Sequence, residues 1–425
     1  MTGSRRAFAK LTQKDAAEAA ARHETLYSGR MGGARAVFAF TDLSGLDLSG
    51  RNLADADFTG AILEETNLSK ARLDSASFFG ADLRRANLTQ ASLRRADLRG
   101  VSLKGANLTG ADMFEADLRE GTIAQKDRYG NLRVMQHDVG PTELPAATLQ
   151  FANLERAKMN GAMAVQADFT DAMMKNCRLV RANLRQARMA GANLENADLS
   201  GCNLAGAILT GSVLIGAKMD LAVLDGADLT DVLTARQVGP DPGRMPVNPE
   251  AMLDAHARWA ESSGREGTPA DLSGMDLRRI PGLSTRQLTA LIAPGAVLYG
   301  LDLEGASLQG SNLSNADLRS VRLCGADLRG VNLSGARLTR SDLRDAKLGP
   351  LVITNDRLLP ARLERVEARY TDFRGADLRG VSFKGADLSY GNLRDAHFRD
   401  NNFDSVIFTG AKLPQALIDS LIKKL

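Results

Sequence analysis

The chain has 425 residues, of which 44% are hydrophobic, 25% charged and 5% aromatic, with a net charge of +3. These values fit a soluble, folded chain, and the small net charge gives no ground for a nucleic-acid binder or an acidic mimic. No apolar run reaches the roughly 18 residues that a membrane span needs, and three cysteines are too few for a disulfide framework.

In chain order, Met1-Thr2-Gly3-Ser4-Arg5-Arg6 is basic but lacks a following apolar segment, so the expectation is no secretory signal and a cytoplasmic chain. A helix is predicted over Lys14–Leu26, within an N-terminal helical cap of residues 1–42. From Leu43 an apolar residue then recurs at every fifth position: Leu48, Leu53, Phe58, Leu63 and onward to Ile123. Helices repeat at about 3.6 residues and strands at about two, so neither regular element accounts for a strict five. A backbone that turns the same way at each step does, which makes the region a solenoid.

Each unit reads A-(D/N)-L-x-x, as in Ala81-Asp82-Leu83-Arg84-Arg85. The central apolar residue and the small residue two places before it share the inside. The Asp or Asn points outward, where it can bond the neighbouring turn. The last two places are free and face water. Cys177 and Cys202 fall in the small inward slot, and Cys324 in an outward slot where a reactive thiol is the alternative to a plain surface residue.

The residues at 124–147 break the series and read as an excursion from one corner, a hairpin or a tolerated insertion. Regular units resume from Leu149 to Leu229, and the repeat domain is placed at 43–233. A Pro-rich linker and second helical cap segment occupy 234–297, with helices expected at Pro249–Ala260 and Ser284–Ala293. His23 and His256 stand at matching places before the two halves, which indicates an internal duplication. The second repeat domain runs over 298–413, irregular from Ile353 to Ala368. Residues 414–425 form a C-terminal helix, with Pro414 suited to its first position and Lys423 and Lys424 to its end. That helix covers the last coil, or alternatively forms a homodimer contact.

These units resemble the pentapeptide-repeat family. The resemblance implies an all-β chain folded as a right-handed, quadrilateral parallel β-helix, four pentapeptides to a coil, with helical caps. It is specific for fold and nearly silent on function.

No catalytic constellation is legible. The four histidines lack zinc-spaced partners, there is no P-loop, G-x-S-x-G or G-x-G-x-x-G, and no cofactor is expected. Residues 20 apart stack, so Arg374 with Arg394 and Arg379 with Arg399, with Lys384 nearby, form the candidate interaction patch. The reading is a non-catalytic scaffold or protein-protein interaction module with an unknown protein partner. The alternative, a DNA-mimic modulator of a type II topoisomerase that binds gyrase, is disfavoured by net charges of −2, 0 and +2 over residues 43–123, 149–229 and 298–413. Direct nucleic-acid binding is disfavoured too, because aromatics for stacking are scarce.

Overall fold

The computed structural model describes residues 8–121, 124–126, 132–134, 141–240, 248–354 and 357–422. Ile123, Arg128–Asn131, most of the Pro-rich linker and Lys423–Lys424 lie outside the described residues. The chain divides into two compact units, Met1–Arg236 and Gln237–Leu425.

Within each unit the backbone winds in coils of 20 residues. Bridges join the second place of one unit to the second place four units on, as in Asp82↔Ser102 or Asp317↔Arg337, always in parallel. The central Leu N–H donates to the next coil, as Leu88 does to Asn107 O at 2.7 Å, so successive coils are hydrogen-bonded into short parallel ladders. The central and small positions are both fully buried, Leu83 and Ala81 being typical, and they form one continuous core in each unit. A fully buried Leu contributes about 2 kcal/mol before entropy is subtracted. Larger residues stack in register: Phe38, Phe58 and Phe78 lie one above another, the last two with parallel rings 4.7 Å apart. Polar small residues inside keep their hydroxyls bonded. Thr66 and Ser311 donate to the carbonyls of Leu43 and Leu288, 23 positions back, at 2.9 and 2.8 Å.

The fifth place is not free. It holds a left-handed turn residue in almost every regular unit, at Gly105 (φ +66°) as at Arg85 (φ +54°), with exceptions that include Glu120 and Pro350, where the excursions leave the coil. The chain must reverse tightly at every corner, and glycine meets that requirement without the Cβ penalty. Its side chain does face water; its backbone is constrained.

Unit 1 begins with β1 (Ala9–Lys10), which pairs in parallel with β2 (Thr41–Asp42). Helix α1 (Gln13–Tyr27) opens with a capping box between Thr12 and Asp15. It buries Ala16, Ala20 and His23 on the first coil, which starts at Ala36 and Phe38, one unit earlier than Leu43. Gln13 bonds both the N–H and the carbonyl of Asp47, and Glu24 holds Arg51 and the Asn52 N–H. His23 accepts the Ala36 N–H on Nδ1 at 3.0 Å and faces the Ala54 carbonyl with Nε2 at 2.8 Å, so the ring is a neutral Nε2–H tautomer.

The coil leaves its path after Gly121 and is back in place at Thr142. Ser102↔Glu143 and Asp117↔Lys158 span 41 positions where other coils span 20. The excursion contains an antiparallel pair, β3 (Ala124–Lys126) and β4 (Leu132–Val134). Its expected end at 147 is corrected, because Leu144 and Ala147 are buried in the coil. The two repeat runs of unit 1 are therefore one stack.

Unit 2 repeats the opening. Helix α2 (Pro249–Glu261) is capped by Asn248 and buries Leu253 and His256, whose Nδ1 accepts the Ala270 N–H at 3.1 Å. The coils begin at Asp271, not at 298. The helix expected at Ser284–Ala293 is absent: a 3₁₀ turn covers only Leu283–Thr285, and Ile292 bridges Asn312 within a coil. Leu291 fills the small slot there and Ala293 the centre, an exchange of sizes that imitates helical spacing. A second excursion, the hairpin β5 (Leu351–Thr354) and β6 (Arg357–Leu359), lengthens one coil so that Asn332 bridges Arg362. Leu351 and Leu359 pack on Gly330, where a Cβ would come within 2.9 Å of Leu351. The unit ends with α3 (Gln415–Ile422).

Candidate functional site

The outer faces are built from the second, fourth and fifth places of each unit. The second-place carboxylate accepts the N–H two residues on, as Asp42 does from Ser44 at 2.9 Å, which closes a small side-chain turn. Where the fourth place is Arg, the same carboxylate takes the guanidinium as a fork. Arg344 donates its backbone N–H and Nε to Asp342 Oδ1 and its Nη2 to Oδ2, at 3.1, 2.9 and 2.7 Å. The pattern recurs at Arg84, Arg99 and Arg119 in unit 1 and at Arg319, Arg329, Arg374 and Arg379 in unit 2. The arginine beside each holds the Asp342 and Asp377 carboxyls below the usual carboxylate range. Much of the charge on these faces is thus spent within single units.

The candidate patch follows this rule at one end and departs from it at the other. Arg374 and Arg379 are forked onto Asp372 and Asp377 at 2.7 Å. The next coil has Asn392 and His397 in place of those acids. Arg394 bonds Asn392 at 3.1 Å and Arg399 lies 3.5 Å from Asp400, so both are less neutralised. Asp372↔Asn392 and Asp377↔His397 set the paired arginines one coil apart on adjoining sides. Lys384 is exposed on the following side, where the bridges place Glu364 and Asp404 in its column, so it does not extend the basic rows. The reading by 20s missed Arg344, which stands one coil before Arg374 because the hairpin adds ten residues between them.

A second surface escaped the sequence altogether. An open groove of about 850 Å³ in unit 1 is lined by Arg95, Asp97, Arg99, Glu115, Asp117, Arg156, Lys158, Asn176 and Arg178. The first excursion separates Asp117 from Lys158 in sequence while the coil brings them side by side. Of the arginines around the groove, Arg99, which lines it, lies over Phe79 at 4.9 Å, and Arg94, next to the lining residue Arg95, lies over Phe114 at 4.6 Å.

The thiols carry no activation. Burial pushes Cys177 far up and Cys202 up to about 12, with Cys202 donating to the Leu179 carbonyl at 2.7 Å. Cys324 is raised as well, by desolvation first and then by Asp342, which does not favour its thiolate. Among the described residues no group of three or more His, Cys, Asp or Glu could hold a metal, and no helix is long and apolar enough to cross a membrane.

The family model described as "Pentapeptide repeats" matches residues 41–80, 52–90, 81–120, 147–189, 177–214, 192–231, 287–319, 316–349, 361–385 and 382–417, which is more than half of the chain. The chain belongs to the pentapeptide-repeat family. Its fold is accordingly a β-helix solenoid. Among solved structures, this pentapeptide-repeat protein is similar to Rfr23 of the cyanobacterium Cyanothece 51142, at 27% identity over 32% of this chain and 90% of that one, TM-score 0.23. It is similar to HetL of Nostoc sp. strain PCC 7120, a pentapeptide repeat protein involved in heterocyst differentiation regulation, at 20% identity over 92% of both chains, TM-score 0.13. A third is trypsin-treated QnrB1, a plasmid-mediated fluoroquinolone resistance protein, at 16% identity over 53% of this chain and 98% of that one, TM-score 0.29. No curated protein matches the sequence.

Proposed function

We propose that this pentapeptide-repeat protein is a non-catalytic scaffold that binds a protein partner on its outer faces. The observation that carries the reading is the set of side-chain columns repeated coil after coil on a hydrogen-bonded backbone. They offer a rigid surface whose binding costs little ordering entropy. The finer architecture is part of the proposal: a right-handed, four-sided helix in each unit, its first coil covered by α1 or α2. Near-neutral repeat runs and acids held by their own arginines speak against a mimic of the DNA phosphate backbone.

The experiment is affinity purification of the tagged full chain from its native cell, with mass spectrometry. Two charge-reversed samples run in parallel, one with Arg374, Arg379, Arg394 and Arg399 changed to Glu and one with Lys158 and Arg178 changed to Glu. A partner kept by the native chain and lost in one variant supports the reading. Failure to recover any specific partner with the native chain would sink it.

A further inference from the structure

One column of unit 1 runs Asp97, Asp117, Lys158, Arg178, Asp198, Lys218, each residue one coil from the next. Like charges directly opposite in a ladder repel. Where two acids meet, at Asp97 and Asp117, each is relieved by its own fourth-place arginine, Arg99 or Arg119. Where two cations meet, at Lys158 and Arg178, the fourth places are Asn160 and Val180, which offer no countercharge. The flanking acids take their hydrogen bonds from other groups. Asp117 is forked by Arg119 at 2.9 and 2.7 Å, and Asp198 accepts the Ser200 N–H and hydroxyl at 3.1 and 2.6 Å. Lys158 and Arg178 are both exposed and, among the described residues, form no ion pair within 4 Å, though each is attracted by the acid one coil away, Lys158 by Asp117 and Arg178 by Asp198. They line the groove, with Arg156 at its rim and 3.5 Å from Glu115.

We propose that this groove docks an acidic peptide segment of a protein partner, with Lys158 and Arg178 holding its carboxylates. An extended peptide places alternate side chains about 6.6 to 6.8 Å apart on one face. Two long cationic side chains one coil apart, about 4.8 Å at the backbone, span that interval. Relief of the Lys158–Arg178 repulsion on binding adds to the attraction. A nucleic acid fits less well. Base stacking needs open aromatic faces, and the rings at hand, Phe79 and Phe114, are covered by Arg99 and Arg94.

The inference rests on the scaffold reading and deepens it, so its test is separate from partner recovery. The full chain is titrated into a fluorescein-labelled peptide of alternating Glu and Gly, and into its Gln counterpart, with anisotropy as the readout at low and high salt. The Glu peptide is expected to bind and the Gln peptide not to, with binding weakening as salt rises. K158E/R178E is expected to weaken binding at least tenfold, and K158Q/R178Q by an intermediate factor. The variant with Arg374, Arg379, Arg394 and Arg399 changed to Glu should bind as the native chain does. Circular dichroism melts establish that each variant is folded. No binding by the native chain, equal binding of the two peptides, or unchanged binding by K158E/R178E would overturn the proposal. So would tighter binding of a short DNA duplex that is lost in the same variant. If the peptide fails while the native chain still recovers a partner, the groove is excluded and the scaffold stands.

Discussion

Removal of the second excursion is a demanding test of how the coil counts. The hairpin adds ten residues to one coil, since Asn332 bridges Arg362 where the usual step is 20. Deleting residues 351–360 joins Pro350 to Ala361 and restores the unit rhythm, but leaves proline at a fifth place. Fifth places require positive φ, which proline cannot adopt, so the variant carries Pro350→Gly as well. The loss is the packing of Leu351 and Leu359 on Gly310 and Gly330, about 1–2 kcal/mol for two half-buried leucines. Against it stands a closure step shortened from 30 to 20 residues, which recovers about 0.4 kcal/mol. The expected net cost is therefore about 1 kcal/mol. Deleting only 351–359 leaves one residue too many. Carried through the downstream units, that slip turns Leu363, Phe373, Leu378, Phe383, Leu388 and Leu393 off the interior, a loss on the order of 10 kcal/mol. A local bulge would still cost about 1–3 kcal/mol of strain. The assay is urea unfolding followed by the fluorescence of Trp259, the single tryptophan, which lies in unit 2. Equal destabilisation by the two deletions, or a loss above about 4 kcal/mol for the ten-residue one, would refute counting by fives and make the hairpin part of the folded core.

Gly330→Ala is expected to cost more in the native chain than in the ten-residue deletion, where only the left-handed penalty of about 1–2 kcal/mol remains; the double-mutant cycle measures the difference. Phe58→Ala should cost about 3–5 kcal/mol by removing the middle ring of the Phe38–Phe58–Phe78 stack, read as a shifted unfolding midpoint. Acid should weaken the fold in two windows. Burial holds the His256 imidazole below 6.5, so as pH falls past that value the unfolded ring takes a proton first and stability declines. His256→Gln should flatten the slope of the urea midpoint between pH 7 and 5. Asp342 and Asp377 are held below 3.8 by their arginines, so their contribution is complete above that pH and falls away as the folded carboxyls titrate. Changing Arg344 and Arg379 to Gln should reduce the dependence below pH 4.

The repeat was legible because one interior slot demands a large apolar residue at every fifth step, and a strict demand leaves a visible period. The paired helices with His23 and His256 could be read for a similar reason, since both bond the first coil of their unit. Phe38 was equally readable, five places before Leu43, once phenylalanine is admitted beside leucine. The constraint on the fifth place was harder to see. It acts on the backbone, and Arg85, Gln90 and Glu115 satisfy it as glycine does. The excursions obscured the surface more than the core. An insertion of ten is a multiple of five and leaves the leucine rhythm intact, so Arg344 was not placed beside Arg374. The longer excursion shifts the phase by one, which marked its presence but separated Asp117 from Lys158 and concealed the groove.

The fixed 20-residue step has a consequence for how the protein is made. Almost every long-range partner of a residue lies one coil behind or one coil ahead of it, so each new coil finds the coil it pairs with already made as the chain leaves the ribosome. The helix of each unit emerges before the coil it packs on, and growth can proceed in one direction without waiting for the far end. The two excursions are the places where the partner lies 41 or 30 residues back. There the growing edge must wait, exposed, until the loop has been made.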